Sequence, residues 1–418
     1  MRTLSIFSSR AVNAALLVAF ALMASACAAP VQKRTSLPEP APSMSIPSVP
    51  AIPAPVVAPV PSATEPQYDS GAVTQSPSAA IEIAKPISHI ALLLPLASRT
   101  FGQVADALKL GFIAGADADG KNAPAYRIYT ADDEGASLAA QYRKAVNEGA
   151  SVIIGGVTRD GANTIARESR FLPTLALNAP AISSDSELPD QFFYISLNLD
   201  LEAKLVARMA FGDGLRNLAM LVANTPLAKR VQDSFEQEWT RLGGGISTRI
   251  AFGNDPSDAT RVASAMEKIN ERIGTKADGV FLAADTASAR VIRPYLPTGM
   301  PVFATSHTVD PRADPINNLD LENVRFLEMP WFAEQDHPAV MGYAKPLQTL
   351  PVEYERLYAL GIDAWRLALL IVQNTGVRTL PALDGVTGRI TRDGHQLLRA
   401  LTSVEVRDGK AQLYRPAE

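Results

Sequence analysis

The chain has 418 residues, which is too long for one ordinary hydrophobic core, so two domains or lobes are expected. Its apolar content of 47% is normal for a globular protein, and its net charge of −4 with a pI near 5.7 argues against nucleic-acid binding, which needs a basic patch or balance. Beyond residue 30, no uninterrupted apolar stretch is long enough to span a bilayer.

Residues 1–27 have the pattern of an export signal. Two arginines precede an apolar core at residues 11–23, and the small residues 24–26 follow it. Cys27 is the only cysteine of the chain and stands where a bacterial lipobox places the acylated thiol. We therefore expect a lipoprotein signal and an acylated Cys27, with an ordinary signal peptide and an incidental cysteine as the alternative. Ala28 occupies the position where an inner-membrane retention signal has aspartate, which favours the outer membrane.

Residues 28–87 are predicted to be a disordered, proline-rich tether. They contain 13 of the 31 prolines and a single aromatic residue, Tyr68. Such a segment cannot bury enough apolar surface to offset the entropy that ordering would cost. Proline-rich chain favours extended polyproline II, so the segment is expected to act as a semi-rigid spacer in front of a globular part that starts at residue 88.

The globular part begins with alternating strands and helices. His89–Pro95 is a continuous apolar run that suits a strand buried on both faces, and Gly102–Ala118 is an amphipathic helix that ends at Gly120. Further strands are predicted at Tyr126–Thr130, Ser151–Ile154, Pro173–Asn178 and Phe192–Ser196, and helices at Ser137–Glu148 and from Thr158 to about Ser169. This order predicts βαβ units and a parallel sheet.

A second series of the same rhythm follows. Its predicted helices are Leu199–Phe211, Leu227–Leu242, Asp258–Ile273 and Thr286–Tyr295, and its strands are Asn217–Val222, Ile246–Phe252, Gly279–Ala283 and Pro301–Thr305. Two such halves predict an α/β fold of two doubly wound lobes with a cleft between them.

The remaining chain is loop-rich at first and then regular. Its predicted elements are a strand at Val324–Met329, the longest helix at Glu353–Gln373, a strand at Gly385–Thr391 and the strand pair Ser403–Arg407 and Lys410–Tyr414. Asp408–Gly409 between the last two strands is a strong hairpin signal.

Candidate ligand residues lie at predicted strand ends, because ligands of parallel sheets bind at the carboxyl edge. Thr158 is expected to cap a helix whose free N–H groups suit an anion such as an amino-acid carboxylate. The candidates are Ser98, Thr100, Thr158, Arg159, Asn178 and Asp285. The alternative is that these residues only cap helices and form turns, and that Arg159 and Asp160 are a solvated pair.

The sequence offers no catalytic or metal-binding motif. The four histidines are scattered, and neither G-x-S-x-G nor H-E-x-x-H occurs. Gly115–Asn122 (GADADGKN) matches a P-loop up to its lysine, but Asn122 replaces the magnesium-binding Ser or Thr and the segment ends a helix. Gly120 and Ile128 do not fit a calcium loop. We therefore expect no enzyme, no cofactor and no metal.

Four segments resemble known proteins. His89–Ala118 (HIALLLPLASRTFGQVADALKLGFIAGADA) resembles the start of type I periplasmic-binding-protein folds. Arg325–Glu334 (RFLEMPWFAE), Arg356–Leu369 (RLYALGIDAWRLAL) and Asp384–Thr391 (DGVTGRIT) resemble the LppC/LpoA family of lipoproteins, the penicillin-binding-protein activators. The resemblance spans nearly all of residues 88–414. Its most specific parts are the Met-Pro-Trp segment and the helix, which substrate-binding proteins of transporters usually lack.

The resemblance implies an outer-membrane-anchored regulatory lipoprotein that binds and stimulates a bifunctional penicillin-binding protein in peptidoglycan synthesis. It implies a lobe one of about 88–197 plus 304–375 and a lobe two of about 198–303 plus 376–418, with three crossings between them. The best-known members of the family carry an N-terminal domain of helical repeats, whereas this chain has the tether. The alternative is a substrate-binding protein of an ABC transporter for an amino acid or a related small molecule.

Overall fold

Two parallel-rich sheets organise the computed structural model, which describes residues 88–181, 187–253, 255–271, 276–374 and 380–415. The predicted signal, Cys27 and the tether lie outside the described residues. The chain begins with β1 (His89–Leu94), α1 (Gly102–Asp119), β2 (Tyr126–Thr130), α2 (Ala136–Asn147), β3 (Ala150–Gly155), α3 (Arg159–Glu168), β4 (Thr174–Ala176) and β5 (Phe192–Tyr194). Every residue of β1 is buried, as the apolar run predicts.

The second series is also confirmed. It contains α4 (Leu199–Gly212), β6 (Asn217–Ala223), α5 (Pro226–Arg241), β7 (Gly245–Phe252), α6 (Pro256–Glu271), β8 (Gly279–Ala283), α7 (Thr286–Ile292), β9 (Val302–Ala304) and β10 (Val324–Glu328). Single 3₁₀ segments follow α7 at Arg293–Tyr295 and β9 at Ser306–Thr308, and a longer one lies at Pro315–Leu321.

The last part consists of α8 (Pro330–Ala333), α9 (Pro338–Met341), α10 (Val352–Gln373), β11 (Leu383–Gly385), β12 (Gly388–Asp393), β13 (Gln396–Ala400), β14 (Thr402–Arg407) and β15 (Lys410–Leu413). The hairpin predicted at Asp408–Gly409 is confirmed, since both residues have positive φ, 52° and 71°. The single strand predicted at Gly385–Thr391 is wrong. That segment turns at Val386–Thr387 into the antiparallel pair β11–β12, and β13 was not predicted.

The two sheets define two lobes. Lobe one is built on the eight-stranded sheet β11-β12-β13-β5-β4-β3-β1-β2, and lobe two on the seven-stranded sheet β15-β14-β10-β9-β8-β6-β7. The central strands of both are parallel, which confirms two doubly wound lobes.

The predicted lobe boundaries are wrong in two places. β10 pairs with β9 at Val324↔Val302, so it extends the sheet of lobe two. β13 pairs with β5 at Gln396↔Tyr194, so β11–β13 belong to lobe one and only β14 and β15 to lobe two. The last strands of the chain thus supply hydrogen-bond partners to β5 in lobe one and to β10 in lobe two, which would otherwise be edge strands. The chain still crosses three times, after β5, β10 and β13.

Helices α1 and α10 pack against each other through glycines. A Cβ on Gly111 would lie 1.8 Å from the Tyr358 carbonyl oxygen, and one on Gly361 would lie 2.2 Å from that of Leu108. Only glycine allows this approach. Beside the crossing, the Trp365 ring packs edge-on against Phe112 with centroids 5.2 Å apart. The apolar stripe predicted for the long helix is therefore core.

Candidate functional site

Most of the predicted ligand residues bond to nearby groups of the chain itself. Ser98 Oγ accepts from the Phe101 N–H at 3.2 Å just before α1, and Thr100 is exposed in the same turn. Asn178 donates to the Val157 carbonyl at 3.0 Å and accepts from the Ala179 N–H at 2.8 Å. Asp285 caps α7 by accepting from the Ser288 N–H at 2.8 Å. These bonds are those of caps and turns.

Thr158 caps α3, as predicted. Its Oγ1 accepts from the Gly161 N–H at 3.0 Å. Arg159 lies 3.5 Å from Asp200 of α4, whose carboxylate also pairs with Arg230 at 2.8 Å. The partner of Arg159 is therefore Asp200 in lobe two, and the predicted solvated pair with Asp160 is not the contact that the structure shows.

Glu134, in the loop between β2 and α2, fills the space in front of α3. Its Oε2 accepts from the Thr158 N–H and from Thr158 Oγ1, both at 3.1 Å. The residue is only 6% exposed, and its Oε1 has no hydrogen-bond partner in the described structure. Burial raises the pKa of the Glu134 carboxyl, and hydrogen bonds from Thr158 and Val157 oppose that rise. The predicted anion position thus holds a carboxylate of the chain itself.

A cavity of about 280 Å³ lies where the chain crosses between the lobes. Its lining comes from both lobes and combines apolar side chains with charged and polar ones. The charged and polar lining residues are Glu202, Ser306, His307, Glu328, Glu353, Tyr354, Arg356 and Arg399.

Two buried carboxylates on this cavity have different partners. Glu328 of β10 accepts two bonds from the Arg356 guanidinium of α10, at 2.5 and 2.7 Å. Glu202 of α4 accepts from the Ser306 N–H at 2.5 Å, and its other oxygen lies 3.0 Å from Ser306 Oγ. Burial raises the pKa of Glu202 to about 7, although the positive charge of Arg356 opposes that rise.

The segments that resemble the lipoprotein family pack against one another. Trp331 donates from its backbone N–H to the Val386 carbonyl at 3.0 Å and from Nε1 to Glu355 at 2.8 Å. Buried Asp363 of α10 accepts from the N–H groups of Val386 and Thr387 at 3.0 and 2.8 Å. The Met-Pro-Trp segment, the long helix and the β11–β12 turn therefore form one unit beside the lobe crossing.

An apolar groove of about 720 Å³ lies on lobe one beside α1. Leu347 on its rim is fully exposed, and Leu110 is 46% exposed. Ile113, Leu350 and Tyr358 also line it. An exposed apolar patch of this kind is typical of a surface that contacts another protein.

Sequence reasoning missed Glu134 and the charged residues of the cavity. A signal for Arg356 existed, because it shares the buried face of α10 with Asp363 and Leu360, and buried charges need partners. No sequence signal pointed to Glu134. Among the described residues, no group of three or more potential ligands is arranged to hold a metal ion. No helix in the described ranges has the length and apolar character to cross a membrane.

Comparisons with a family model and with named relatives identify the same family. The model described as "LppC putative lipoprotein" matches residues 76–409. A relative from Edwardsiella ictaluri, named penicillin-binding protein activator LpoA, is 27% identical over 305 residues, which cover 64% of this chain and 44% of the relative. A relative of the same name from Klebsiella pneumoniae is 24% identical, with 64% and 42% covered. The chain spans less than half the length of these relatives.

Solved structures agree on the fold. A Chromobacterium violaceum protein described as a "putative branched-chain amino acid ABC transporter" has a TM-score of 0.63 and 31% identity, covering 76% of this chain and 99% of that one. The C-domain of LpoA from Haemophilus influenzae, described as a regulator of PBP1A, has a TM-score of 0.60 and 21% identity, covering 78% and 100%. The second likeness shows the fold alone.

Proposed function

Because the chain belongs to the LppC family of lipoproteins, we propose that it is an outer-membrane-anchored regulator that binds a bifunctional penicillin-binding protein and stimulates peptidoglycan synthesis. Membership of a lipoprotein family places the chain in the cell envelope. The names of its relatives, penicillin-binding protein activators, support the choice of partner. The chain acts by contact with an enzyme and is not itself an enzyme.

The observation that carries the proposal is that the predicted ligand position is already occupied by a side chain of the same chain. In front of α3, the donors that a captured amino-acid carboxylate would use are bonded to Glu134. Asn178 and Asp285 are likewise engaged with backbone groups. A lobe whose ligand-binding groups are occupied by the chain itself is better suited to present a surface than to capture a solute.

The apolar groove beside α1 is the proposed contact surface for the periplasmic part of the enzyme. Leu347 and Leu110 expose apolar side chains there, and burying them against a partner would release that surface from water. Mild crosslinking of the native lipoprotein in cells, followed by co-purification, tests the partner. Recovery of a bifunctional penicillin-binding protein is the expected result, and its absence beside an efficiently crosslinked bait would count against the proposal.

The second candidate function is that of a transporter's substrate-binding protein. It is favoured by the 31% identity to the Chromobacterium violaceum protein and by the cavity of about 280 Å³ between the lobes. A true receptor would be stabilised by its solute through mass action, by about 2.7 kcal/mol at a hundredfold excess over Kd. We expect no rise in melting temperature with any standard amino acid. A reproducible rise with one of them would favour the receptor.

The outer-membrane anchor is proposed from Cys27 and from Ala28 after it. The change Cys27→Ser removes the thiol that would be acylated, and several acyl chains are what make such anchoring stable. We expect the variant to leave the outer-membrane fraction. Its recovery there at the wild-type level would refute the anchor.

A further inference from the structure

Two neighbouring arginines of lobe two have more hydrogen-bond donors than the surrounding chain has acceptors for them. Arg290 lies in α7, and Arg293 begins the 3₁₀ segment that follows this helix. Residues three positions apart in a helical stretch share one face, so both side chains leave the helix on the same side. That side packs against the 3₁₀ segment at Pro315–Leu321. We call Arg290 and Arg293 the arginine pair.

The guanidinium of Arg290 has a single, uncharged partner. Its Nη2 donates to Oδ1 of Asn318 at 3.0 Å, and Nδ2 of this buried amide donates to the Asp310 carbonyl at 2.9 Å. No carboxylate of the described residues forms an ion pair with Arg290, and its buried Nε has no hydrogen-bond partner among them. The positive charge of Arg290 is therefore not neutralised by a contact within this part of the chain.

Arg293 is more deeply buried and has no acceptor at all within the described ranges. Only 8% of the residue is exposed, yet none of its N–H groups makes a hydrogen bond there. Glu322 is the negative charge that acts on it, but the oxygens of Glu322 accept from the Asp408 and Gly409 N–H groups, at 3.2 and 3.5 Å. Burial lowers the pKa of Arg293, and Glu322 opposes that change. A buried guanidinium without an acceptor is unfavourable, because it loses water and gains no partner.

The two unpaired donors lie on matching edges of the arginine pair. Of the five buried side-chain polar atoms without a hydrogen-bond partner in the described structure, two are Nε of Arg290 and Nε of Arg293. Nε and one Nη form the edge of a guanidinium that binds two oxygens of an oxyanion side by side. Two such edges require an anion with two negative charges and an oxygen pair for each edge. A phosphate dianion meets both conditions, whereas a monocarboxylate does not.

We propose that the arginine pair is a binding site for a phosphate dianion, carried as inorganic phosphate or as a small phosphomonoester. Arg290 is half-buried and gives access from solvent, whereas the deep position of Arg293 admits only a small group. The bound anion supplies both the acceptors and the negative charge that the pair needs. The inference is independent of binding to a penicillin-binding protein.

The test is the melting temperature of the full-length chain in sodium phosphate and in sodium chloride of equal ionic strength, at a slightly alkaline pH where phosphate is a dianion. We expect a saturable rise with phosphate and none with sodium acetate. At a hundredfold excess over its Kd, phosphate would raise the folded-to-unfolded ratio about a hundredfold. Glycerol 3-phosphate is a second arm. A similar rise with it would show that a phosphomonoester fits, and a rise with inorganic phosphate alone would restrict the ligand to the free ion.

Variants separate the site from general salt effects. Arg293→Met removes a buried charge that has no contacting partner, so it should melt no lower than wild type in chloride but should lose the response to phosphate. Arg290→Met, at the more exposed position, should also lose the response, and it gives the same readout if Arg293→Met does not fold. Arg261→Met is the matched control, because it breaks an exposed ion pair with Asp258 in the same lobe and should keep the full response.

Two results would overturn the proposal. One is a wild-type chain whose melting temperature is the same in phosphate and in chloride. The other is a rise with phosphate that is equal in wild type, Arg290→Met and Arg293→Met, which would be a general effect of the salt. A role in packing alone predicts a different pattern, in which Arg293→Met is destabilised equally in both salts.

Discussion

Arg356 of α10 and Glu328 of β10 form a buried two-point ion pair that joins lobe one to lobe two. Their side chains are 9% and 0% exposed. The guanidinium also lies 3.4 Å from the Ser306 carbonyl, next to the bonds that Ser306 makes to Glu202. The pair therefore fixes the second lobe crossing, at the end of β10, against the longest helix of the chain.

Replacing Arg356 by leucine leaves Glu328 buried without its counter-charge. We expect Arg356→Leu to lower the free energy of unfolding by about 3–5 kcal/mol, as removal of one partner of a buried pair does. The double change Arg356→Leu with Glu328→Leu should recover most of that loss, because no charge remains to be desolvated. Urea denaturation midpoints measure both. Equal midpoints for wild type and Arg356→Leu would contradict the ion pair.

The Glu202 carboxyl should make stability depend on pH near neutrality. Burial raises its pKa to about 7, so the folded state binds the proton more tightly than the unfolded state. The stability gained from this proton is fully present below pH 4.5, roughly the pKa of Glu202 in the unfolded state, and is lost as the pH rises through about 7, its pKa in the folded state. The raised pKa of His307, beside Glu353, acts in the same direction. We expect the free energy of unfolding to fall by roughly 1–3 kcal/mol from pH 5 to pH 8.

Glu202→Gln should flatten that dependence, because an amide resembles the protonated acid towards Ser306. The variant should match wild type near pH 5 and be more stable than wild type at pH 8. Glu238→Gln is the matched control, since Arg241 and Arg208 hold the pKa of Glu238 at about 2, outside this window. If Glu202→Gln keeps the wild-type slope, the titrating group is another residue.

Gly361→Ala tests the crossing of α1 and α10. The added Cβ would lie 2.2 Å from the Leu108 carbonyl oxygen and 2.7 Å from the Phe112 nitrogen, so the helices must separate. We expect a loss of roughly 3 kcal/mol in the free energy of unfolding, measured by urea denaturation. Gly212→Ala in α4 is the control, because no atom lies within 4 Å of its added Cβ. A loss for Gly361→Ala no larger than for the control would contradict the close approach.

Leu360→Ala probes the neighbouring position on the same helix, where the side chain is 1% exposed. Removing a buried leucine side chain is expected to cost about 2–5 kcal/mol. A denaturation midpoint within error of wild type would mean that this face of α10 is not core.

The groove beside α1 should matter for binding and not for folding. Leu347 is fully exposed, so Leu347→Asp should leave the melting temperature unchanged but weaken binding to the penicillin-binding protein by about tenfold or more, as loss of an apolar contact that anchors an interface does. Ile316→Asp is the control, because Ile316 is 69% exposed but belongs to the 3₁₀ segment before β10 in lobe two. Binding is measured by surface plasmon resonance. An equal loss of affinity in both variants would mean that the contact lies elsewhere.

The periodicity of apolar residues and the positions of turn residues were enough to predict most of the helices and strands. The apolar run of β1, the Thr158 cap and the Asp408–Gly409 hairpin each have a local cause that the sequence displays. The lobe boundaries were not predictable in this way. Whether β10 and β13 join one sheet or the other depends on the tertiary pairing of Val324 with Val302 and of Gln396 with Tyr194, which no local pattern specifies.

The same holds for the site, where features with a local cause were predictable and contacts between distant residues were not. The sequence predicted that Thr158 caps α3 and leaves donors for an anion, and the cap is confirmed. It did not predict that Glu134, 24 residues earlier, supplies the anion, because nothing local in the β2–α2 loop marks a carboxylate for burial. The Arg356–Glu328 pair joins residues 28 positions apart from two different lobes, and only the tertiary structure brings them together.

The most direct measurement of the central claim is the rate of peptidoglycan synthesis by a bifunctional penicillin-binding protein with the purified full-length chain added in detergent solution. An effect there needs no membrane anchor, so it reports contact between the two proteins alone. The account predicts a saturable rise in the glycosyltransferase rate, the transpeptidase rate or both, together with a detectable complex. Unchanged rates at saturating concentration with no measurable complex would contradict it and favour the substrate-binding alternative.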